Sequence, residues 1–345
     1  MIPSFWRAGR WQSVSRLALL PAAIVFHVTA RARALWHRFR RIPPLGRPGI
    51  VIGNLTVGGT GKTPLTIWYA QQATAAGARP GVIVHPAASD EAQLIAAEEP
   101  EAVVVIRRNR LTAGREAVEA GAEVLIFDDG LQHPGLDGMQ RVAVLAVEQE
   151  TMSPWLVPAG PWRESHRALL RCDLIVITRK SASRAQAAAF ATRLGRQTGR
   201  PTAIAALAIA GFHTLHGRHH LGPETVAGRT ILAVAGVADP EPFRRQLRAL
   251  GARVTLREYP DHFGFGTADV AALLEESRRT DYVVMTSKDA VKLRTYWPAV
   301  PDPLVAELAV HWEAGADAVG AVLHRVLPAY HALIRNSRQV AAGTS

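Results

Sequence analysis

A glycine-rich stretch near the start of the chain constrains the fold more than any other feature. Residues 53–63 read Gly-Asn-Leu-Thr-Val-Gly-Gly-Thr-Gly-Lys-Thr, directly after an apolar run at 50–52 and before a helical pattern. A phosphate-binding loop requires this strand–loop–helix context, because its glycines let backbone N–H groups surround a phosphate at a helix N-terminus. The stretch therefore predicts a parallel sheet with a nucleotide site at the end of one strand.

The loop residues have predicted roles in binding ATP and Mg²⁺. Lys62 is placed to reach the β- and γ-phosphates, and the Thr63 hydroxyl to ligate Mg²⁺. The chain has four lysines against 36 arginines, so a lysine here indicates a need for a compact cation. Thr56 occupies a position where the usual motif has glycine. The predicted nucleotide-binding residues are Thr56, Gly58, Gly59, Thr60, Gly61, Lys62 and Thr63.

Two adjacent carboxylates, Asp128 and Asp129, follow a second apolar run at 124–127. An aspartate at a strand end beside a phosphate loop commonly holds Mg²⁺, directly or through water, so we predict a metal role for this pair. The alternative is a helix cap or a turn. His133 lies four residues further on, and its pattern fits a site residue and a structural histidine equally well.

Two further segments with acidic residues could contribute to a catalytic site, but each also has a simpler structural explanation. Asp90 and Glu91 open a helical pattern, where acidic side chains favour the helix dipole without any catalytic role. Asp261 and His262 lie in a Pro/Gly-rich loop. They are either ordinary turn residues, or they supply an imidazole that acts as a proton acceptor or an orienting group.

Two segments after these strands carry candidate ligands for anions and metal. In the proline-punctuated loop 156–164, Arg163 is a candidate for anionic groups and Glu164 for Mg²⁺, or the two form a surface ion pair. Lys288 follows a later strand and either contacts phosphate or lies at a solvated helix start. Four histidines between 213 and 220 lack a carboxylate pattern nearby, so a metal site is not favoured there.

Apolar runs alternate with helical patterns after residue 48, which predicts parallel strands covered by helices on both faces. Strands are predicted at 49–53, 81–85, 102–106, 123–127, 141–147, 173–178 and 202–208, then at 230–235, 253–257, 282–286 and 304–309. Helices are predicted at 62–76, 90–98, 110–120 and 183–197, then near 240–250, 267–279 and 315–334. Residues 211–228 read as a connector.

This order predicts an α/β fold: a P-loop NTPase-like parallel sheet domain, a smaller second α/β domain and an N-terminal interfacial helix. The predicted divisions are a basic amphipathic segment at 1–47, the P-loop domain at 48–212, a linker at 213–228, the smaller domain closing over the active site at 229–335, and a tail at 336–345. The single cysteine excludes a disulfide scaffold.

The excess of positive over negative charge lies entirely in the part of the chain before Asp90. Of 40 basic residues, eleven precede Asp90, the first acidic residue, which leaves 29 against 29 acids in the rest. An uncharged run at 17–30 lies among these bases, with tryptophans on both sides. The run is too short to span a bilayer and favours a helix lying on an anionic membrane surface. A buried helix and a cleaved signal peptide are the alternatives. A nucleic-acid binder would spread its charge over the folded body, so no nucleic-acid partner is expected.

Several stretches together resemble the tetraacyldisaccharide 4′-kinase family, which phosphorylates a lipid A precursor. The matching stretches are GNLTVGGTGKTP (53–64), SDEAQLIA (89–96), FDDGLQH (127–133), LVPAGPWRE (156–164), AVAGVADPEPF (233–243), YPDHFGF (259–265) and MTSKDAVKL (285–293). They occur in the family's order. The chain departs from the family in a shortened loop before Asp90, and in Ser89, Ala92 and Ser287.

The resemblance implies a kinase that moves the ATP γ-phosphate to the 4′-hydroxyl of a tetraacylated disaccharide 1-phosphate. It implies that Asp90 and His262 form the pair that activates this hydroxyl. Asp128, Asp129 and Glu164 would lie near Mg²⁺ and phosphate. A monomer at the cytoplasmic face of the inner membrane is expected.

Two other functions stay open at this point. A membrane-associated partitioning ATPase also joins such a loop to an amphipathic helix, although it carries a second lysine where this chain has Val57. The other is a family member that binds nucleotide without turnover.

Overall fold

The computed structural model describes residues 44–133, 135–150, 155–217 and 219–327, together with Leu19, Pro21, Ala22, Ala23, Val25 and Thr29. Most of the predicted segment 1–47 and the whole tail 336–345 lie outside the described residues. Among the described residues, no helix is both long and apolar enough to cross a bilayer.

Strands and helices alternate along most of the chain, as the sequence predicted. The strands are β1 (Gly49–Gly53), β2 (Pro80–Val84), β3 (Val103–Ile106), β4 (Val124–Phe127), β5 (Gln140–Ala146), β6 (Leu174–Arg179), β7 (Thr202–Thr214), β8 (His220–Leu221), β9 (Thr230–Ala235), β10 (Arg253–Glu258), β11 (Tyr282–Thr286) and β12 (Leu304–Ala314). The α-helices are α1 (Lys62–Ala75), α2 (Ser89–Glu98), α3 (Arg110–Glu119), α4 (Arg184–Thr198), α5 (Glu241–Ala249), α6 (Thr267–Ser277), α7 (Ser287–Leu293) and α8 (Ala316–Val326).

The described chain forms two compact units. The larger holds residues 44–178, 184–205 and 312–327, and the smaller holds 179–183 and 206–311. Apart from the short stretch 179–183, the chain passes from one unit to the other within β7 and again within β12, whereas the sequence suggested a border at 212.

The larger unit contains a parallel sheet in the order β6-β5-β1-β4-β2-β3. Every residue of β1, β2 and β4 is buried, because helices cover both faces of the sheet. On one face, small residues of α3 pack against Val51, Ile83 and Phe127 of three neighbouring strands. The apolar runs in the sequence are long and uninterrupted for this reason. The predicted α/β class is confirmed.

The smaller unit contains the parallel strands β10, β9, β11 and β12 in that order. Successive residues of β9 enter different apolar clusters. Leu232 and Val234 pack with residues of α6 and α7, and Ile231 and Ala233 with Leu247 of α5. Both faces of this sheet are therefore covered as well.

The predicted connector at 211–228 is in part a folded element. β7 continues to Thr214 and pairs antiparallel with β8, and a short 3₁₀ helix follows at Pro223–Val226. Phe212 and Leu215 are fully buried, and the backbone N–H of Leu215 donates to Pro303 O at 2.9 Å. The glycine and histidine content of this segment hid the strand from sequence analysis, although its partner β8 lies only a few residues further on.

We expect Gly53→Ala, at the end of β1, to lower the free energy of unfolding by about 1–3 kcal/mol. A Cβ at Gly53 would lie 2.5 Å from Leu131 Cβ and 2.9 Å from Leu131 N, so the backbone after β4 would have to move. Gly320→Ala is the matched control. Position 320 lies in α8 with nothing within 4 Å of its Cβ, so the substitution should stabilise by about 0.5–1 kcal/mol. Urea unfolding of both variants measures the difference. Equal stability would contradict the close packing at Gly53.

Candidate active site

The glycine loop joins the end of β1 to the start of α1 in the larger unit. Gly58 and Gly61 have φ angles of 111° and 87°, which side chains disfavour, and Gly61 directly precedes the helix. The first turn of α1 has no acidic side chain. Its N–H groups therefore present the positive end of a 14-residue helix, with no carboxylate from the helix's own first turn beside them.

Side chains from neighbouring strand ends hold the loop in shape. Thr178, at the end of β6, donates to Thr60 O at 2.7 Å. The Asn54 amide donates to Thr60 Oγ1 at 3.1 Å, and Gln132, after β4, donates to Asn54 O at 2.8 Å. The conformation of the loop thus depends on contacts with two other strands as well as on its glycines.

The proline-punctuated loop pairs with the outer side of the glycine loop. Thr56 forms an isolated antiparallel bridge with Trp162, and the Arg163 N–H donates to Leu55 O at 2.7 Å. The Thr56 hydroxyl also donates to Gln149 at 2.5 Å. These bonds explain why a threonine replaces the usual glycine, since the Thr56 side chain is buried in this contact. They also fix the backbone from which Arg163 projects.

Lys62, Asp129 and Arg163 form a charged cluster beside the glycine loop. Lys62 Nζ lies 3.5 Å from Asp129 Oδ1, and Arg163 Nη1 lies 3.0 and 2.8 Å from the two Asp129 oxygens. Asp129 has a left-handed φ of 54°, a backbone conformation that non-glycine residues rarely adopt and that costs free energy. One carboxylate therefore holds two cations in place.

Asp128 and Asp129 are neighbours with opposite electrostatic environments. Burial raises the pKa of Asp128 above its ordinary value, although Lys62 opposes this effect. Burial also favours the neutral form of Asp129, but Lys62 and Arg163 outweigh it and lower the pKa of that carboxyl. Asp128 accepts a long hydrogen bond of 3.4 Å from the Thr66 hydroxyl.

The sequence analysis missed Arg110, which braces the strand ends behind this cluster. Its guanidinium is buried and donates to Ile83 O at 3.3 Å and to Asp129 O at 3.1 Å. Arg110 is the first residue of α3, after the cap residue Asn109. An arginine at a helix N-terminus opposes the dipole, and that conflict was the available signal.

Asp90 lies buried in the first turn of α2, where the N-cap residue is Ala88. Asp90 is therefore not the cap residue itself, although its Oδ1 accepts from the Glu91 N–H at 3.2 Å. His133 accepts a hydrogen bond from the Gly135 N–H at 3.2 Å through Nδ1, which is a turn contact.

Glu164, predicted as a metal ligand, forms an ion pair with Arg171 in this structure. Arg171 Nη2 lies 2.6 and 2.5 Å from the two Glu164 oxygens. The structure thus gives Arg163 and Glu164 different partners, although they are adjacent in the sequence.

The smaller unit holds the other predicted residues. Lys288 Nζ lies 2.9 Å from Asp261 Oδ1, and the His262 N–H donates to the same oxygen at 3.1 Å. His262 has a left-handed φ of 59° and a partly exposed side chain. Lys288 is thus engaged with a carboxylate of its own unit.

The parallel sheet and the glycine loop with its lysine and aspartates place the larger unit in the class of P-loop nucleotide-binding proteins. A sequence model of the family described as tetraacyldisaccharide-1-P 4′-kinase matches residues 15–327. The tetraacyldisaccharide 4′-kinase of Xanthomonas euvesicatoria is 34% identical, over 92% of this chain and 96% of that protein. The enzyme of the same name from Aromatoleum aromaticum is 31% identical, over 91% and 94%. The chain belongs to the tetraacyldisaccharide-1-P 4′-kinase family.

A solved structure agrees with this fold. LpxK from Aquifex aeolicus, an "apo" form in complex with ATP, aligns with a TM-score of 0.69 and 22% identity, over 90% of this chain and 99% of that one. At this identity the likeness concerns the fold. The family predicted from the sequence is confirmed, whereas the roles of single site residues stay predictions.

We expect Asp128→Asn and Asp129→Asn to change stability in opposite directions in the nucleotide-free protein. The raised pKa of Asp128 means that its ionisation costs stability as pH rises above the ordinary carboxyl range, so Asp128→Asn should raise Tm at neutral pH. The lowered pKa of Asp129 contributes stability at neutral pH that is lost as pH falls through the folded value. Asp129→Asn should therefore cost about 1–3 kcal/mol at neutral pH.

Thermal unfolding from about pH 4 to pH 8 measures both effects. Asp137→Asn is the control, because Asp137 is largely exposed and pairs with Arg141 at the surface. A loss of stability in both site variants, equal in size, would contradict the different environments described for the two carboxylates.

Proposed function

We propose that this chain transfers the γ-phosphate of ATP to the 4′-hydroxyl of a tetraacyldisaccharide 1-phosphate, a step of lipid A biosynthesis. Family membership supports the substrate and the reaction. The observation that carries the phosphoryl-transfer chemistry is Lys62 at the first position of α1, with its Nζ 3.5 Å from Asp129.

Lys62, Arg163 and the loop amides supply positive charge for the phosphates. Phosphoryl transfer requires in-line placement and charge neutralisation more than covalent chemistry. In this structure the Asp129 carboxylate pairs with both Lys62 and Arg163. An incoming phosphate can take the place of that carboxylate, and the two long side chains are already ordered to bind it. In the transfer itself, a bond forms between the sugar oxygen and Pγ while the Pγ–O bond to ADP breaks.

The oxygen ligands in this unit fit Mg²⁺. Thr63, the second residue of α1, offers a hydroxyl, and Asp128 and Asp129 offer carboxylates at the end of β4. Hard oxygen donors of this kind are what Mg²⁺ prefers. Bound there, the ion would neutralise charge on the phosphate oxygens. Glu164 is a further candidate ligand, and it would have to leave Arg171 to serve.

We propose Asp90 as the acceptor of the sugar hydroxyl proton, oriented by or coupled to His262. Family resemblance supports this pair, and the burial of Asp90 in a helix start rather than at a cap agrees with a role beyond capping. The left-handed backbone at His262 agrees as well, since strained residues of this type cluster at functional sites. Glu91 and His133 are secondary candidates.

The N-terminal basic segment is proposed to hold the enzyme at the cytoplasmic face of the inner membrane, where a four-chain lipid substrate resides. Its nine bases and its apolar run support this placement. The protein is proposed to act as a monomer.

Transfer of labelled γ-phosphate from ATP to a tetraacyldisaccharide 1-phosphate in detergent micelles tests the function. We expect Asp90→Ala and His262→Ala to lower kcat by about 10²–10⁴-fold while ATP binding is retained. Each substitution removes one member of the pair proposed to accept the proton of the sugar hydroxyl. Lys62→Ala should lower both ATP binding and turnover.

Arg278→Met is the matched control, because Arg278 is exposed and pairs only locally with Glu275 among the contacts described. Normal turnover by both Asp90→Ala and His262→Ala would reject the proposed pair. ATP hydrolysis by the wild type without any lipid acceptor would favour the partitioning-type ATPase. Nucleotide binding without transfer or hydrolysis would favour a non-catalytic family member.

Binding to vesicles tests the proposed location. We expect full-length protein to sediment with vesicles that contain anionic lipid and to be released as salt rises, since each base near such a surface adds about 1 kcal/mol. A variant with the arginines of residues 31–47 replaced by glutamine should bind more weakly. Equal sedimentation with zwitterionic and anionic vesicles would contradict a charge-based attachment.

A further inference from the structure

The turn that carries His262 is held in a conformation that its own backbone does not favour. His262 has a φ of 59°, and the Phe263 N–H donates to Pro260 O at 3.1 Å to close the turn. A left-handed residue other than glycine persists only where its surroundings hold it there. The contacts around the turn therefore hold the backbone from which the His262 ring projects.

An aromatic group supports one side of this turn. Tyr259, Phe263 and Phe265 have ring centroids 4.8–5.1 Å apart, and all three pack against the core cluster of the smaller unit. The Tyr259 N–H also donates to Ala235 O at 2.9 Å, at the end of β9. These contacts fix the flanks of the turn, but none of them determines the Asp261–His262 peptide itself.

Lys288 contacts the Asp261 carboxylate, which in turn accepts a hydrogen bond from that peptide. Its Nζ lies 2.9 Å from Asp261 Oδ1, the same oxygen that accepts from the His262 N–H at 3.1 Å. Lys288 is 16% exposed and Asp261 26%, so the ion pair is partly screened from water. The cation therefore fixes the carboxylate that in turn binds the backbone of His262.

Lys288 is itself held by a rigid helix start. Asp289, the next residue, is fully buried and accepts from the Gly236 N–H at 2.8 Å and from the Thr286 hydroxyl at 2.6 Å. Lys292, one turn later, places its Nζ 3.3 Å from the other Asp289 oxygen. The first turn of α7 is thus tied to the ends of β9 and β11 and cannot slide relative to them.

We propose that Lys288 is a positioning residue, which holds the Asp261 carboxylate and, through it, the left-handed turn that places His262. It does not act on phosphate, and Asp289 with Lys292 serves as the anchor of the helix turn that carries it. This inference rests on the proposed role of His262 in phosphoryl transfer. Its chemistry is that of one compact cation fixing one carboxylate.

Steady-state phosphate transfer by Lys288→Met, Asp261→Asn and the double variant tests this inference. We expect Lys288→Met to lower kcat about 10- to 100-fold, because misplacing a reacting group by about 1 Å costs that much. KM for ATP should stay within about twofold, since ATP binding is assigned to other residues. Lys288→Arg should lose less, because it keeps the charge.

The double variant should be no slower than Asp261→Asn alone, since the Lys288–Asp261 ion pair is already lost in Asp261→Asn. Arg278→Met, which removes an exposed ion pair in the same unit, is the control and should keep wild-type kcat. Thermal unfolding checks that Lys288→Met has the same midpoint temperature as the wild type. Lys288→Arg allows the same comparison of kcat with less risk to folding.

Unchanged kcat in Lys288→Met would overturn the inference, and so would losses that multiply in the double variant. The proposed function fails separately, if the wild type transfers no phosphate to the lipid acceptor under the same conditions.

Discussion

The site of the larger unit depends on one carboxylate that balances two cations. Asp129 lies within 3.5 Å of Lys62 and 2.8 Å of Arg163, and without it the two cations would repel each other beside the glycine loop. Because the pairing holds both side chains in place, a phosphate that replaces the carboxylate need not pay for ordering them. The left-handed backbone of Asp129 is the cost of this arrangement.

In the larger unit, burial and ion pairing give neighbouring residues different electrostatic environments. Asp128 and Asp129 share a strand end, but burial raises the pKa of the first and two cations lower that of the second. Arg163 and Glu164 likewise face different partners. In both cases the two residues are adjacent in the sequence, and the surrounding side chains determine the charge state or the ion-pair partner of each.

The sequence predicted most strands and helices to within one or two residues, because buried parallel strands appear as long apolar runs. It also located the glycine loop and its lysine, since both lie within one strand–loop–helix unit. It did not predict β8, the length of β7 and β12, or the role of Arg110. β8 is only two residues long and pairs locally with β7. Leu215 and Arg110, in contrast, bond to Pro303 and Ile83, which lie far away in the chain.

The sequence alone determined the α/β class, the phosphate loop and the family, because periodicity, glycine placement and ordered motifs are properties of short segments. Only the tertiary structure decided which charges pair. In this structure Lys288, a candidate for phosphate, pairs with Asp261, and Glu164, a candidate for metal, pairs with Arg171. Their roles toward phosphate and metal stay predictions. The physical reason is that an ion pair forms between side chains brought within about 4 Å by folding, and no local pattern records that distance.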